Sequence, residues 1–286
     1  MAEQTKTKLN RLLQILPEGW LAPSHWLAAR GYTRALLAYY SKHGWLRSPA
    51  HGVYQRPGTQ LKWQHVVVSL QRLERLPMHV GGRTALVHRG LAHYLRLGGP
   101  EEIHLYGPST DGLPAWTRKL EFPEKLVAHN DAMFSSLPRA YRDESGHFLD
   151  NGGRRLPGGI LQESGLSEFS WEGWDWTITY STEERAILEI LQDVPARESV
   201  YEADVLMQGL VNLRPQRLMM LLKACSNVKV KRLFLALAER HHHSWFKHLD
   251  IDAVDRGRGK RMLVPGGRLH PRFLITLPSD LDDHAR

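Results

Sequence analysis

Residues 24–58 read SHWLAARGYTRALLAYYSKHGWLRSPAHGVYQRPG, and their spacing predicts a winged helix-turn-helix. Ser24 can cap a first helix with its hydroxyl, and Gly31 can end that helix in the left-handed conformation. Thr33 stands where it can cap a second helix, which Gly44 would stop just after Lys42 and His43. Two short helices joined through a Gly-containing turn make the helix-turn-helix pattern. Beyond Gly44, residues 45–48 and 52–55 are β-prone runs separated by turn residues, which predicts a hairpin wing.

On a wheel at 100° per residue, Leu36, Leu37, Tyr40 and His43 fall on one side of the second helix, with Arg34, Ala38, Ser41 and Lys42 on the other. The outward side is small and basic, which suits insertion into a DNA major groove. Arg34, Lys42, Arg47 and Arg56 are the expected DNA-contacting cations, with Tyr39 and Ser41 as polar neighbours. Cations there gain from counterion release, and Arg34 or Lys42 can also pair with guanine edges.

Outward from this stretch, Leu9, Leu12, Leu13 and Leu16 form a helical stripe, so residues 1–60 are expected to be the winged DNA-binding domain. Residues 61–98 are expected to be a helical connecting segment. Its first helix, residues 62–76, would bury Trp63, Val67, Leu70 and Leu73. Its second lies within 79–97, with Thr84 as cap, Ala85, Leu91, Ala92 and Leu95 inside, and Gly98-Gly99-Pro100 as terminator.

Residues 99–286 are expected to form a larger mixed domain. A strand is predicted at 103–106, and Trp176, Ile178 and Tyr180 alternate at strand spacing. Ser181 with Glu184 then has the form of a capping box opening a helix through Leu191. Further helices are predicted at 199–210, 215–225 and 230–241, and strands at 251–254, 262–265 and 273–277. The expected fold class is α+β: an N-terminal winged helix-turn-helix followed by a larger mixed α/β domain.

The net charge of +8 is divided unevenly along the 286 residues. Residues 1–89 hold 13 Lys and Arg against 3 Asp and Glu, residues 90–213 hold 10 against 20, and residues 214–272 hold 14 against 4. Two basic blocks flanking an acidic one suit a protein that meets a polyanion. A single cysteine, Cys225, excludes an internal disulfide and a thiolate zinc cluster. No apolar run approaches the roughly 20 residues needed to span a bilayer, and the N-terminus is polar, so a cytoplasmic protein without membrane partners is expected.

Residues 181–189 (STEERAILE), then 228–235 (VKVKRLFL), then 257–261 (GRGKR) and a terminal apolar strand, together resemble the AbiEi family of antitoxins from bacterial type IV toxin-antitoxin systems. The resemblance covers nearly the whole chain. It implies a winged N-terminal domain that binds inverted repeats in its own promoter and represses transcription. It also implies a C-terminal domain that counters a co-transcribed nucleotidyltransferase toxin without forming a stable complex. The family often has proline before the Glu-Arg-Ala triplet, where this chain has Glu183.

Within that C-terminal domain, Arg185 and Glu189 lie four apart on one helix face, either as a surface ion pair or as a clamp between helices. Lys229, Lys231 and Arg232, with Arg258, Lys260 and Arg261, suggest a second polyanion surface, and leave open whether it meets DNA or an RNA. Strand alternation would put Lys229 and Lys231 on one side. His241, His242 and His243 are consecutive and cannot all face one ion, so no metal is expected. No cofactor and no catalytic motif is recognised, which makes an enzyme the less favoured class. Two alternatives remain: a winged-helix regulator that senses a small ligand, and a nuclease or nucleotide-transfer enzyme that uses the winged unit for docking.

Overall fold

The computed structural model describes residues 2–92, 101–108, 112–171, 173–281 and 283. Helix α1 (Ala2–Ile15) buries Leu9 and Leu12, and Leu16 follows them into the core. Strand β1 (Ala22–Pro23), α2 (Ser24–Ala28), α3 (Arg34–Lys42), β2 (Arg47–Ala50) and β3 (Val53–Gln55) come next. β3 pairs with both β1 and β2, so the wing is a three-stranded antiparallel sheet. Gly31 (φ 82°) and Gly44 (φ 73°) supply the two left-handed stops. The Thr33 hydroxyl accepts the Leu36 N–H at 3.3 Å, capping α3. Ser24, by contrast, is not a cap. Pro23 holds that position without a side-chain acceptor, and Ser24 is instead tied by its N–H to the Gly52 carbonyl at 2.7 Å.

Helix α4 (Trp63–Arg72) is buried on every side, polar residues included. Such a helix holds only if its polar groups are paired, and most of these are. Ser69 accepts the Leu21 N–H at 2.7 Å and donates to the His65 carbonyl at 2.6 Å. Gln71 donates to the Met78 carbonyl at 3.0 Å and accepts the Thr179 N–H at 3.1 Å. In this way α4 fastens the winged unit to the sheet behind it.

That sheet is built from β4 (His79–Val80), β5 (Glu102–Gly107), β6 (Lys125–Asn130), β9 (Leu166–Ser170) and β10 (Thr177–Ser181), in the order β6-β5-β4-β10-β9. β5 runs parallel to β6 and β4 parallel to β10, while the other pairings are antiparallel. Between these strands lie α5 (Gly82–His88), a hairpin of β7 (Tyr141–Arg142) with β8 (Phe148–Leu149), and α6 (Ile160–Glu163). After the sheet come α7 (Glu183–Asp193), α8 (Val200–Gly209), α9 (Pro215–Ala224), α10 (Val228–Arg240) and a closing pair, β11 (Arg268–Leu269) with β12 (Thr276–Leu277). α7 is central, packing against α5, α8, α9 and α10. One apolar cluster runs from Leu9 to Leu281, so winged unit and sheet share a core.

Several expectations are corrected. Segment 61–98 contributes β4 to the sheet as well as helices, and α5 starts at Gly82 with Thr84 inside it. The Thr84 hydroxyl is used instead on β5, donating to the Glu102 carbonyl at 3.2 Å and accepting the His104 N–H at 2.9 Å. Leu95 and Gly98-Gly99-Pro100 lie outside the described residues. Ser181 ends β10 and forms no capping box; Thr182 holds the N-cap position of α7. Residues 228–231 are the first turn of α10, where the Asn227 side chain accepts the Lys229 and Val230 N–H groups. Ile251–Ala253 is a 3-10 turn, residues 262–265 form no strand, and within 273–277 pairing is confined to β12 and an isolated bridge from Ile275 to Arg261.

Candidate nucleic-acid interface and the buried family motif

Helix α3 turns Leu37 and Tyr40 into the core and leaves Arg34, Ala35, Ala38, Tyr39, Lys42 and His43 exposed. Two wheel assignments exchange sides. Ser41 is half-buried beside Leu37, with its Oγ enclosed and without a hydrogen-bond partner, whereas His43 faces outward. Arg47, on β2, is also exposed, and Arg56 is half-buried just past β3. None of Arg34, Lys42, Arg47 and Arg56 is ion-paired with a described residue. No carboxylate occurs anywhere in residues 19–73, although that stretch holds seven Lys and Arg. Unpaired cations on a helix and wing free of acids are suited to counterion-releasing contact with a phosphate backbone.

The winged unit is also held in place through α2. The Arg30 guanidinium lies 3.7 Å over the Trp26 ring and pairs with Glu144, which also accepts the Trp26 indole N–H at 3.1 Å. His25 reaches Glu74 at 3.2 Å, and Glu74 accepts the Trp116 indole N–H at 3.0 Å. Glu144, Glu74 and Trp116 all lie outside residues 1–60, so α2 is tied to the rest of the chain.

Arg185 and Glu189 are not at the surface. Both side chains are essentially inaccessible, at 3% and 0% exposure. Arg185 donates through Nε to Glu189 at 2.8 Å, through Nη1 to the Ser164 carbonyl at 2.7 Å and through Nη2 to Asp131 at 3.0 Å. Glu189 also takes His79 Nε2 at 2.8 Å, the Ser181 hydroxyl at 2.7 Å and the Gly82 N–H at 2.9 Å. One carboxylate thus joins α7 to β4, β10 and the start of α5. Burial alone would raise the Glu189 pKa, but the charge and hydrogen bond of His79, the Arg185 guanidinium and the Ser181 hydroxyl outweigh it and hold it at about 2. A side chain at Gly81 would collide with the Glu189 carboxylate and the Tyr106 ring, so the Gly81-Gly82 pair lets the chain pass the cluster.

The remaining basic candidates divide. Lys229 Nζ donates to the Gln192 carbonyl at 2.7 Å and to that of Val194, and burial lowers its pKa. Lys231 and Arg232 are buried on α10, so they and Lys229 form no exposed strand face. Arg232 donates to the carbonyls of Arg256 (2.7 Å), Gly259 (2.5 Å) and Leu274 (3.1 Å). It braces the loop that exposes Arg258, Lys260 and Arg261. Of the histidine run, His241 pairs with Asp204 at 2.7 Å and His243 with the Met207 carbonyl at 2.7 Å. No group of three metal-ligating side chains occurs among the described residues.

Two family models match this architecture. One, described as the AbiEi antitoxin N-terminal domain of a transcriptional regulator, matches residues 5–97. The other, described as a transcriptional regulator, AbiEi antitoxin of a type IV toxin-antitoxin system, matches residues 160–278. The chain belongs to the AbiEi family. It is therefore a transcriptional regulator and antitoxin of the type IV class, and the AbiEi match takes in both α3 and the Arg185–Glu189 motif. A crystal structure of the RV2827C protein from Mycobacterium tuberculosis resembles this AbiEi chain at TM-score 0.52 and 15% identity, covering 93% of this chain and 88% of that one. At that identity the likeness concerns the fold. No curated protein matches the chain. No helix among the described residues is long and apolar enough to cross a membrane.

His79, Asp131, His43 and Trp45 carry no signal in the sequence that marks them as site residues, and Ser181, which opens the 181–189 motif, reads there only as a helix cap. The glycine pair at 81–82 is visible there, but its reason, a carboxylate more than 100 residues further on, is not.

Proposed function

We propose that this chain binds inverted repeats in its own promoter through α3 and the wing, represses its operon, and counters a nucleotidyltransferase toxin encoded beside it. The observation that carries the DNA contact is the acid-free stretch 19–73, with Arg34, Lys42 and Arg47 exposed and unpaired. Tyr39 joins them on the same face, Arg56 flanks the wing, and Ser41 supports the helix from inside. For the antitoxin role, Arg185 and Glu189 act as the internal brace of the C-terminal domain. Lys229 and Arg232 hold its carbonyls and Lys231 is buried on α10, while Lys260 with Arg258 and Arg261 offers a surface for a second polyanion, RNA among them.

A reporter placed behind the native promoter tests the first part. The full chain should silence it and Arg34→Ala should restore expression at equal protein level; equal repression by both would remove α3 from the account. For the second part, co-expression of the full chain should restore growth to cells making the neighbouring toxin, and unrestored growth would contradict it.

A further inference from the structure

Tyr39, His43 and Trp45 make an exposed aromatic patch at the end of α3 that the cation contacts leave unused. Tyr39 is 43% and Trp45 38% exposed, and their rings pack edge-on at 5.8 Å. His43 completes a triangle with them, 4.0 Å from the Tyr39 ring and stacked on Trp45 at 5.7 Å. The patch is built by the backbone. Past Gly44, Trp45 N–H reaches back to the Tyr40 carbonyl at 2.9 Å and Gly44 N–H to that of Ser41 at 3.2 Å, which is the Schellman ending of a helix with its apolar contact, Tyr40 to Trp45 at 5.7 Å. His43 Nδ1 sits 2.8 Å from the Tyr39 carbonyl, an acceptor, so that nitrogen carries the proton and the ring is fixed.

Rings so ordered and still exposed suit contact with another molecule. A second copy would press Lys42 and Arg47 against their own equivalents with no carboxylate in residues 19–73 to neutralise them, whereas a nucleic acid brings the opposite charge. The three rings pack on one another with centroids 4.0–5.8 Å apart, so they form one shared aromatic patch and not separate faces held open for unpaired bases. In a major groove the group that meets an apolar side chain is the thymine methyl. We propose that the Tyr39–His43–Trp45 patch selects thymine through its C5-methyl group, a role that rests on the DNA binding proposed above.

The test selects duplexes from a randomised pool with the full chain, then replaces each thymine singly by deoxyuridine. At one or more positions the parent should lose affinity about four-fold, the worth of one buried methyl group. Trp45→Ala should bind the thymine and uracil duplexes equally there. Undiminished binding of every uracil duplex by the parent overturns the proposal, and this arm needs no variant to fold. Salt-dependent binding without enrichment of any sequence also overturns it while leaving DNA binding intact. A flat uracil scan together with a lower sedimentation coefficient for Trp45→Ala would make the patch a contact between copies instead. Absence of any salt-dependent binding would bring down the DNA role itself.

Discussion

Glu189 is the residue on which the C-terminal domain closes, because four donors, two of them more than 100 residues away, converge on the two oxygens of a fully buried carboxylate. Replacing it by alanine leaves Arg185 and His79 buried without their shared acceptor. The cost of breaking a buried pair on one side is about 3–5 kcal/mol. Denaturant unfolding of Glu189→Ala should show a loss of that size, and a loss under about 1 kcal/mol would mean the site rehydrates instead. The Arg185–Glu189 pairing was legible, since a spacing of four on a helix brings two side chains together. Its burial was not, because the groups that make burial tolerable lie far off in sequence: His79 is 110 residues from Glu189 and Asp131 is 54 from Arg185. The same holds for Ser181, whose hydroxyl looks like a cap until the carboxylate it serves is in place. The exposure of Arg34 and Lys42 was legible, because an exposed cation needs no distant partner.

At the scale of elements, α3 and its stop were readable because each feature is local: a hydroxyl three residues before an N–H, a glycine where φ must be positive. Gly44→Ala should therefore be felt in α3 and the wing. With φ at 73°, a β-carbon there costs about 1–2 kcal/mol, although open space surrounds it. Thermal unfolding should register that loss, and DNA affinity should fall further as Trp45 is released from its place; unchanged stability and affinity would deny the glycine its role. Helix α10 shows the opposite case. Val228-Lys229-Val230-Lys231 alternates at a period of two, but the run continues with Val230, Leu233, Phe234 and Leu237 buried at helical spacing, and the Asn227 cap decides between the two periods. Strands such as β4, two residues long and buried, have no period to read.

Across the whole molecule, α4 and the continuous core couple the winged unit to the body, so calorimetry on the full chain should give one transition; two resolved transitions would contradict the shared core. The pH dependence follows from two histidines. Burial, aided by Lys62 and opposed by Glu18, lowers His65 from 6.5 to about 4. Burial and the neighbouring His129, opposed by Glu102 and Asp193, lower His104 from 6.5 to about 4. Between pH 6.5 and 4 the unfolded chain takes up protons that the folded chain refuses. Stability is therefore full above pH 6.5 and declines as pH falls toward 4, by up to about 1.4 kcal/mol per pH unit for each histidine. Glu189, whose folded pKa lies below its ordinary 4.5, adds a separate loss between 4.5 and about 2. Urea unfolding at pH 7 and pH 4.5 should show the first decline, and equal midpoints would contradict it.

The claim that α3 and the wing are the DNA interface is tested most directly by the salt dependence of binding. Affinity of the full chain for its own promoter duplex, measured by fluorescence anisotropy over a salt series, should be compared with that of the Arg34→Ala, Lys42→Ala, Arg47→Ala triple variant. The variant should melt at the same temperature, bind more weakly, and show a log–log salt slope shallower by about 0.9 for each phosphate that it no longer neutralises. Equal affinity and equal slope for parent and variant would place the interface elsewhere.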